Sequence, residues 1–190
     1  MNIEQKETVI TAIKREKKVT KLIRIKYFLD YSVQEIRDWL ESNGLDRHMP
    51  IQYVSTEIIV QVPGGILMQV RSNEVGKLSL WGGIVQSKEA VTPSAIRKFY
   101  EKTSIQITPD DLMYIDTIRH MHKYPNGDFA YLSIYRYALK FDSIPEIKLN
   151  DDSIGWKIIS TPDQLSQVFE HQRGILNKIL REPNYQGEDY

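Results

Sequence analysis

The pattern of apolar and polar positions changes character once along this chain. Up to about residue 45 the apolar residues fall at helical spacing. Val9, Ile10 and Ile13 suit one amphipathic helix, and Leu22, Ile23, Ile25, Phe28 and Leu29 form a second cluster. In "SVQEIRDWLESNG", Ser32 and Glu35 make a capping-box pattern, Asn43-Gly44 is a stop, and Ile36, Trp39 and Leu40 would face inward. The link "LDYS" between these helices is compatible with a helix-turn-helix, although short helical pairs commonly just pack. "LDRHMPIQ" reads as a linker.

From Thr56 the texture is that of strands. "EIIVQV" and "ILMQVRS" flank Pro63-Gly64-Gly65, a hairpin turn, and "KLSLWGG" is a short strand ending in glycines. Thr92-Pro93 opens a helix on which Ile96, Phe99, Tyr100 and Thr103 are expected to face the core. "LMYIDTIRHMHKY" and "DFAYLSIYRYALKF" are long strands joined at Asn126-Gly127, a strong hairpin signal. Pro109-Asp110-Asp111 marks a turn or helix start before them. "SIGWKIIS" is a last strand. Thr161-Pro162 then begins a long helix with Leu165, Val168, Phe169, Ile175, Leu176 and Ile179 inward. Strands, helix, strands, helix is the order of a mixed α/β domain with hairpins and not of a doubly wound parallel sheet. The expected division is a helical extension over 1–50 and an α/β domain over 51–190.

Composition adds little to this. The chain has 190 residues, 41% hydrophobic and 26% charged, ordinary values for a globular protein. Without cysteine, disulfides and cysteine metal sites are excluded. No apolar run has the length of a membrane span, and the N-terminus lacks the order of a signal peptide. A cytoplasmic protein is the expectation, with no membrane partner. The net charge is zero but uneven. Residues 1–28 carry eight cations against three carboxylates, a net of +5, which leaves −5 for the remainder. Such an end can touch nucleic acid, a solvated helix face is the commoner use of such lysines, and the N-terminal helices could serve a homodimer.

The stretch "GGIVQSKEAVTPSAIRKFYEKTSI" holds the candidate chemistry. Gly83 is followed by five residues and Glu89, then by seven residues and Arg97. Phe99, Glu101 and Ile105 follow at fixed offsets. Lys98, Glu101 and Lys102 share one helical face. His120 and His122 alternate on a strand, where two histidines point to one side without a third ligand in view. No glycine-rich phosphate loop, nucleophilic cysteine or G-x-S-x-G elbow is present.

The spacing from Gly83 to Ile105, with Gly82-Gly83 ahead of the helix and strands on either side, resembles the Nudix box of the MutT-like Nudix hydrolases. The resemblance covers about residues 56–170. It implies an α/β/α sandwich with a mixed sheet, Mg²⁺ held by box glutamates against a diphosphate, and hydrolysis of nucleoside diphosphate-linked compounds. Glu101 is then the carried-over metal and catalytic carboxylate, and Gly82 and Gly83 lie beside the substrate. Glu89 and Arg97 are expected to brace the loop against the helix. The box is degenerate: Lys98 and Lys102 stand where two more glutamates are expected, Ser104 where a glycine is, and Trp81 where a proline is. A lysine repels Mg²⁺. The resemblance thus leaves three readings: a hydrolase with an impaired metal site, a silent domain binding a nucleotide-derived molecule through Lys98 and Lys102, or a regulator using its basic N-terminal helices. The loop at Asp151-Asp152 is the expected place for a replacement carboxylate.

Overall fold

A computed structural model of the protein describes residues 33–42, 44, 51–72, 76–86, 88–123 and 129–182. The expectations for the first two helices, the link "LDYS", the cap at Ser32, the basic residues of 1–28 and the Asn126-Gly127 turn lie outside these residues. Two compact units are distinguished. In the first, helix α1 (Val33–Ser42) buries Leu40 to 1% exposure and ends where the sequence predicts. Gly44 takes φ +67°, and its N–H donates to Glu41 O at 3.0 Å.

The second unit comprises the described residues of Val54–Val85, Glu89–His120 and Ser133–Tyr190. The strands of the protein are β1 (Ile51–Val62), β2 (Gly65–Arg71), β3 (Leu78–Ser79), β4 (Trp81–Ile84), β5 (Met113–Lys123), β6 (Phe129–Lys140) and β7 (Ser153–Ile159). They form one sheet in the order β3-β2-β1-β6-β5, with β4 beside β1 and β7 beside β2. β1 and β2 are a hairpin through Pro63-Gly64, with Val62 opposite Gly65. Proline sets the first turn position and Gly64, at φ +93°, the second. The Phe141 N–H donates to Gln61 O at 2.9 Å, which ties the end of β6 to the end of β1 and makes the two parallel. β1 starts at Ile51, so the last two residues of the supposed linker "LDRHMPIQ" belong to the strand. Ser55 to Val60 are buried without a break, because a central strand is covered on both faces.

Alternation along the strands sends neighbours to opposite faces. Ile59, Ile66, Met68, Leu80 and Ile159 pack with Ile175, Leu176 and Ile179 of helix α3 (Glu170–Arg181). Ile58, Val60, Leu67 and Trp81 pack on the other side with Ala95 and Phe99 of helix α2 (Val91–Thr103). This is the α/β/α sandwich with a mixed sheet that the sequence predicts. Trp81, fully buried, donates from Nε1 to Leu67 O at 2.8 Å and meets Phe99 edge-on at 6.1 Å. Among the described residues no helix is long and apolar enough to cross a membrane.

Two expectations for the helices fail. Tyr100 is 48% exposed instead of inward. Phe99 points straight at the sheet, and one further residue turns 100° away, so the buried stripe continues through Lys102 and Thr103. The segment after Thr161-Pro162 is not one helix. A 3₁₀ helix (Pro162–Gln167) ends before Val168, and α3 starts after Phe169. Val168 is fully buried, extended at ψ 152°, and bridges to Leu78 in parallel. That seat in the core breaks the helix and leaves Phe169 half-buried at the N-cap.

Candidate functional site

β4 carries the glycine pair beside β1, with Gly82 opposite Glu57 and Gly83 opposite Thr56. Gly82 has φ +144°, and a Cβ built there would lie 2.0 Å from Thr56 O. Only glycine fits so close to a neighbouring backbone. At Gly83 a Cβ would meet Lys98 Cδ at 3.1 Å. The Lys98 stem therefore lies across the bare backbone of Gly83, an arrangement in which a long cation covers surface with its methylenes.

Arg97 joins two carboxylates. Its Nε and Nη2 donate to the two carboxylate oxygens of Glu89 at 2.7 and 2.6 Å, and Nη1 donates to Glu101 Oε1 at 2.7 Å. Paired donation of this kind fixes a planar carboxylate in one orientation. Glu89 stands in the loop before α2, so the fork locks loop to helix. The Glu89 hydrogen bond, opposed by burial and aided by Glu101, raises the guanidinium pKa above its usual range.

Each Glu101 oxygen is engaged by a cation of the chain. Oε1 accepts from Arg97, and Oε2 accepts from Lys98 Nζ at 2.9 Å. Burial pushes its carboxyl up, but the hydrogen bonds from Lys98 and Arg97 outweigh it and hold the group below its ordinary value. Lys102 is 5% exposed. Its Nζ donates to Asp152 Oδ2 at 3.1 Å and to Gln69 Oε1 at 3.4 Å. Burial depresses the Lys102 pKa, and the hydrogen bond to Asp152 works against that shift. The same bond lowers the pKa of Asp152, whose side chain is 66% exposed. Neither lysine is simply solvated. A divalent cation needs hard oxygen ligands with charge to spare. Here the carboxylates around α2 already carry cations from the chain, and two ligand positions hold ammonium groups. The donor set does not fit Mg²⁺. Among the described residues no group of three His, Cys, Asp or Glu is placed to hold a metal ion.

Asp152 does come to the site from the loop picked out in the sequence, but as the partner of Lys102. Gln69 was not picked out. Its signal was there, a polar residue within the apolar run "ILMQVRS". It is 1% exposed and fully engaged: Oε1 also accepts from Ser153 Oγ at 2.8 Å, and Nε2 donates to Ser79 Oγ and Leu80 O at 2.9 and 2.7 Å. Glu57 was missed for the same reason, a charge inside "TEIIVQV". It lies on the α3 side, with Oε1 2.9 Å from His171 Nε2 and accepting from Gln172 Nε2 at 2.5 Å, while Oε2 is buried without a hydrogen bond. It takes no part in the α2 cluster. His120 stacks on His171 with ring centroids 4.3 Å apart, and the His122 side chain lies outside the described residues.

Ser104 closes α2 at φ +59°, the left-handed conformation for which the box has glycine. Ser104→Gly is expected to stabilise the protein by about 1 kcal/mol, read as a higher urea midpoint at constant slope. A lower midpoint would refute the assignment of strain to this cap.

Many solved structures resemble this one. The MutT protein from Methanosarcina mazei Go1 is 17% identical with a TM-score of 0.53, over 72% of this chain and 98% of that one. The E. coli dihydroneopterin triphosphate pyrophosphohydrolase is 15% identical with a TM-score of 0.54, over 70% and 96%. The bifunctional NMN adenylyltransferase/ADP ribose pyrophosphatase from Francisella tularensis, in complex with AMP and a Mn ion, is 24% identical with a TM-score of 0.54, over 79% of this chain and 46% of that one. No family model and no curated protein sequence matches the chain.

Proposed function

We propose that this chain, which has the fold of the Nudix hydrolases, is a domain that binds a nucleotide-derived phosphate without metal-dependent turnover. The observation that carries the reading is Lys102, a buried ammonium group on the helix face where the resemblance expects a metal-binding carboxylate. Burying a charge is unfavourable, and an exposed partner such as Asp152 offsets it weakly. A residue of that kind is better explained by a ligand than by stability. Around α2 and the adjoining sheet stand Arg71, Arg97, Lys98 and Lys102 against Glu89, Glu101 and Asp152, a net of +1. Arg71 is close enough for its charge to act on both Lys102 and Asp152.

The ammonium groups bind and orient the phosphate. Each at about 4 Å from a phosphate oxygen gains up to ~4 kcal/mol at an effective dielectric near 20, before desolvation is subtracted. Neither can replace a metal in activating water, so bound ligand stays intact. Calorimetry in EDTA with a nucleoside 5′-diphosphate tests this. Binding is expected without metal, and Lys98→Ala should weaken it about tenfold, or ~1.4 kcal/mol. Binding that needs Mg²⁺ and ignores Lys98→Ala would overturn the reading. So would robust Mg²⁺-dependent hydrolysis across a panel of nucleoside diphosphate compounds that is lost in Glu101→Gln.

A further inference from the structure

We propose that the indole of Trp156 is a stacking platform for a nucleobase, so that the ligand is a nucleotide gripped at both ends. The inference rests on the phosphate-binding reading above and adds the other half of the ligand.

Trp156 lies on β7, directly opposite Gln69 of β2 in the antiparallel register. Opposite residues of such a pair send their side chains to the same face, with Cβ atoms about 5 Å apart. Ile158, two residues on, is opposite Leu67 and packs in the α2-side core. Trp156 therefore stands on the α2 side of the sheet, beside Gln69. The amide oxygen of Gln69 accepts from Lys102 Nζ, and the Ser153 hydroxyl at the start of β7 donates to the same oxygen. One buried glutamine thus accepts from an ammonium group and stands opposite a tryptophan on the neighbouring strand.

The fold leaves the indole partly open. Trp81, on the same side of the sheet, is fully buried, whereas Trp156 is 40% exposed and its strand neighbour Ile154 is 62% exposed. A large aromatic left open beside a buried charge is the residue type that stacks on bases, because every base has a π-face. β7 pairs with β2. A nucleoside phosphate joins a flat base to an anion through one sugar, and Gln69 links a partly open ring on the opposite strand with a cation.

Two probes in EDTA separate the two halves: inorganic pyrophosphate, which has no base, and ADP. The full chain should bind ADP at least tenfold more tightly than pyrophosphate. ADP should quench tryptophan fluorescence, and pyrophosphate should not. Trp156→Ala should remove the advantage of ADP and the quench while leaving pyrophosphate affinity within twofold. Trp156→Phe should keep most of the advantage, because a phenyl ring still stacks. Equal affinity for the two probes, or an ADP advantage that survives Trp156→Ala, overturns the platform and leaves the phosphate site standing. An ADP advantage lost equally in Trp156→Ala and Trp156→Phe also overturns it, since the loss then does not follow ring stacking. Binding of neither probe overturns both readings.

Discussion

Lys102→Met is expected to keep the protein folded, with a stability unchanged or raised by about 1–2 kcal/mol, and to lose at least tenfold in affinity for a nucleoside diphosphate in EDTA. The two effects have opposite signs for one physical reason. Methionine fills nearly the volume of the lysine stem in a place that is 5% exposed, and it carries no charge to desolvate. Asp152 loses little when its partner goes, because its side chain is 66% exposed and water replaces the ammonium. Gln69 Oε1 keeps its hydrogen bond from Ser153. The phosphate, in contrast, loses a cation. The effect on stability depends on pH in a definite direction. Burial holds the Lys102 pKa below the ordinary 10.5, so the folded state sheds this proton before the unfolded state does. Stability of the unaltered protein then rises with pH between the folded value and 10.5, and the advantage of the methionine variant shrinks over that window. Urea unfolding of both proteins at neutral pH and near pH 10, with calorimetry beside it, checks both parts. A variant that unfolds more easily by 2 kcal/mol or more would make Lys102 a structural residue.

Gly82→Ala should destabilise by more than about 4 kcal/mol, in the exceptional range for one methyl group. The new Cβ would stand 2.0 Å from the Thr56 carbonyl oxygen with φ at +144°, so β4 must part from β1 or the backbone must change region. Neither obstacle can rotate away. Gly83→Ala is the control. Its contact is the Cδ of a flexible lysine at 3.1 Å, and its φ is not positive. It should lose under ~1 kcal/mol while displacing Lys98 from the site. Circular dichroism and urea midpoints of the two variants decide the matter. Equal, small losses would mean that the β1–β4 approach is looser than the structure has it.

Gly82-Gly83 and the Glu89–Arg97 pair are marked in the chain by its resemblance to the Nudix box. The hairpin at Pro63-Gly64, the alternation that separates Ile58 from Ile59, and the mixed α/β order of elements are legible in the chain itself. These are short-range properties: turn geometry, strand and helix periods, and caps each depend on residues a few positions apart. What Lys102 does is not of that kind. Its partners Gln69 and Asp152 lie 33 and 50 residues away, and only the closing of β7 on β2 beside α2 brings them together. The same closing sets Trp156 beside Gln69, although the sequence marks it as no more than a strand residue. Tyr100 and Val168 teach the matching lesson about the core. Period alone places both on an apolar stripe. The sheet against which each packs has room for Phe99 and Lys102 but not Tyr100, and for Val168 only in extended form beside Leu78. The sequence by itself determined which elements exist and which of their faces are apolar, because those depend on local steric and solvation preferences. Tertiary structure decided which residue at the edge of each face is buried and which charges meet, because that depends on surfaces contributed by distant parts of the chain.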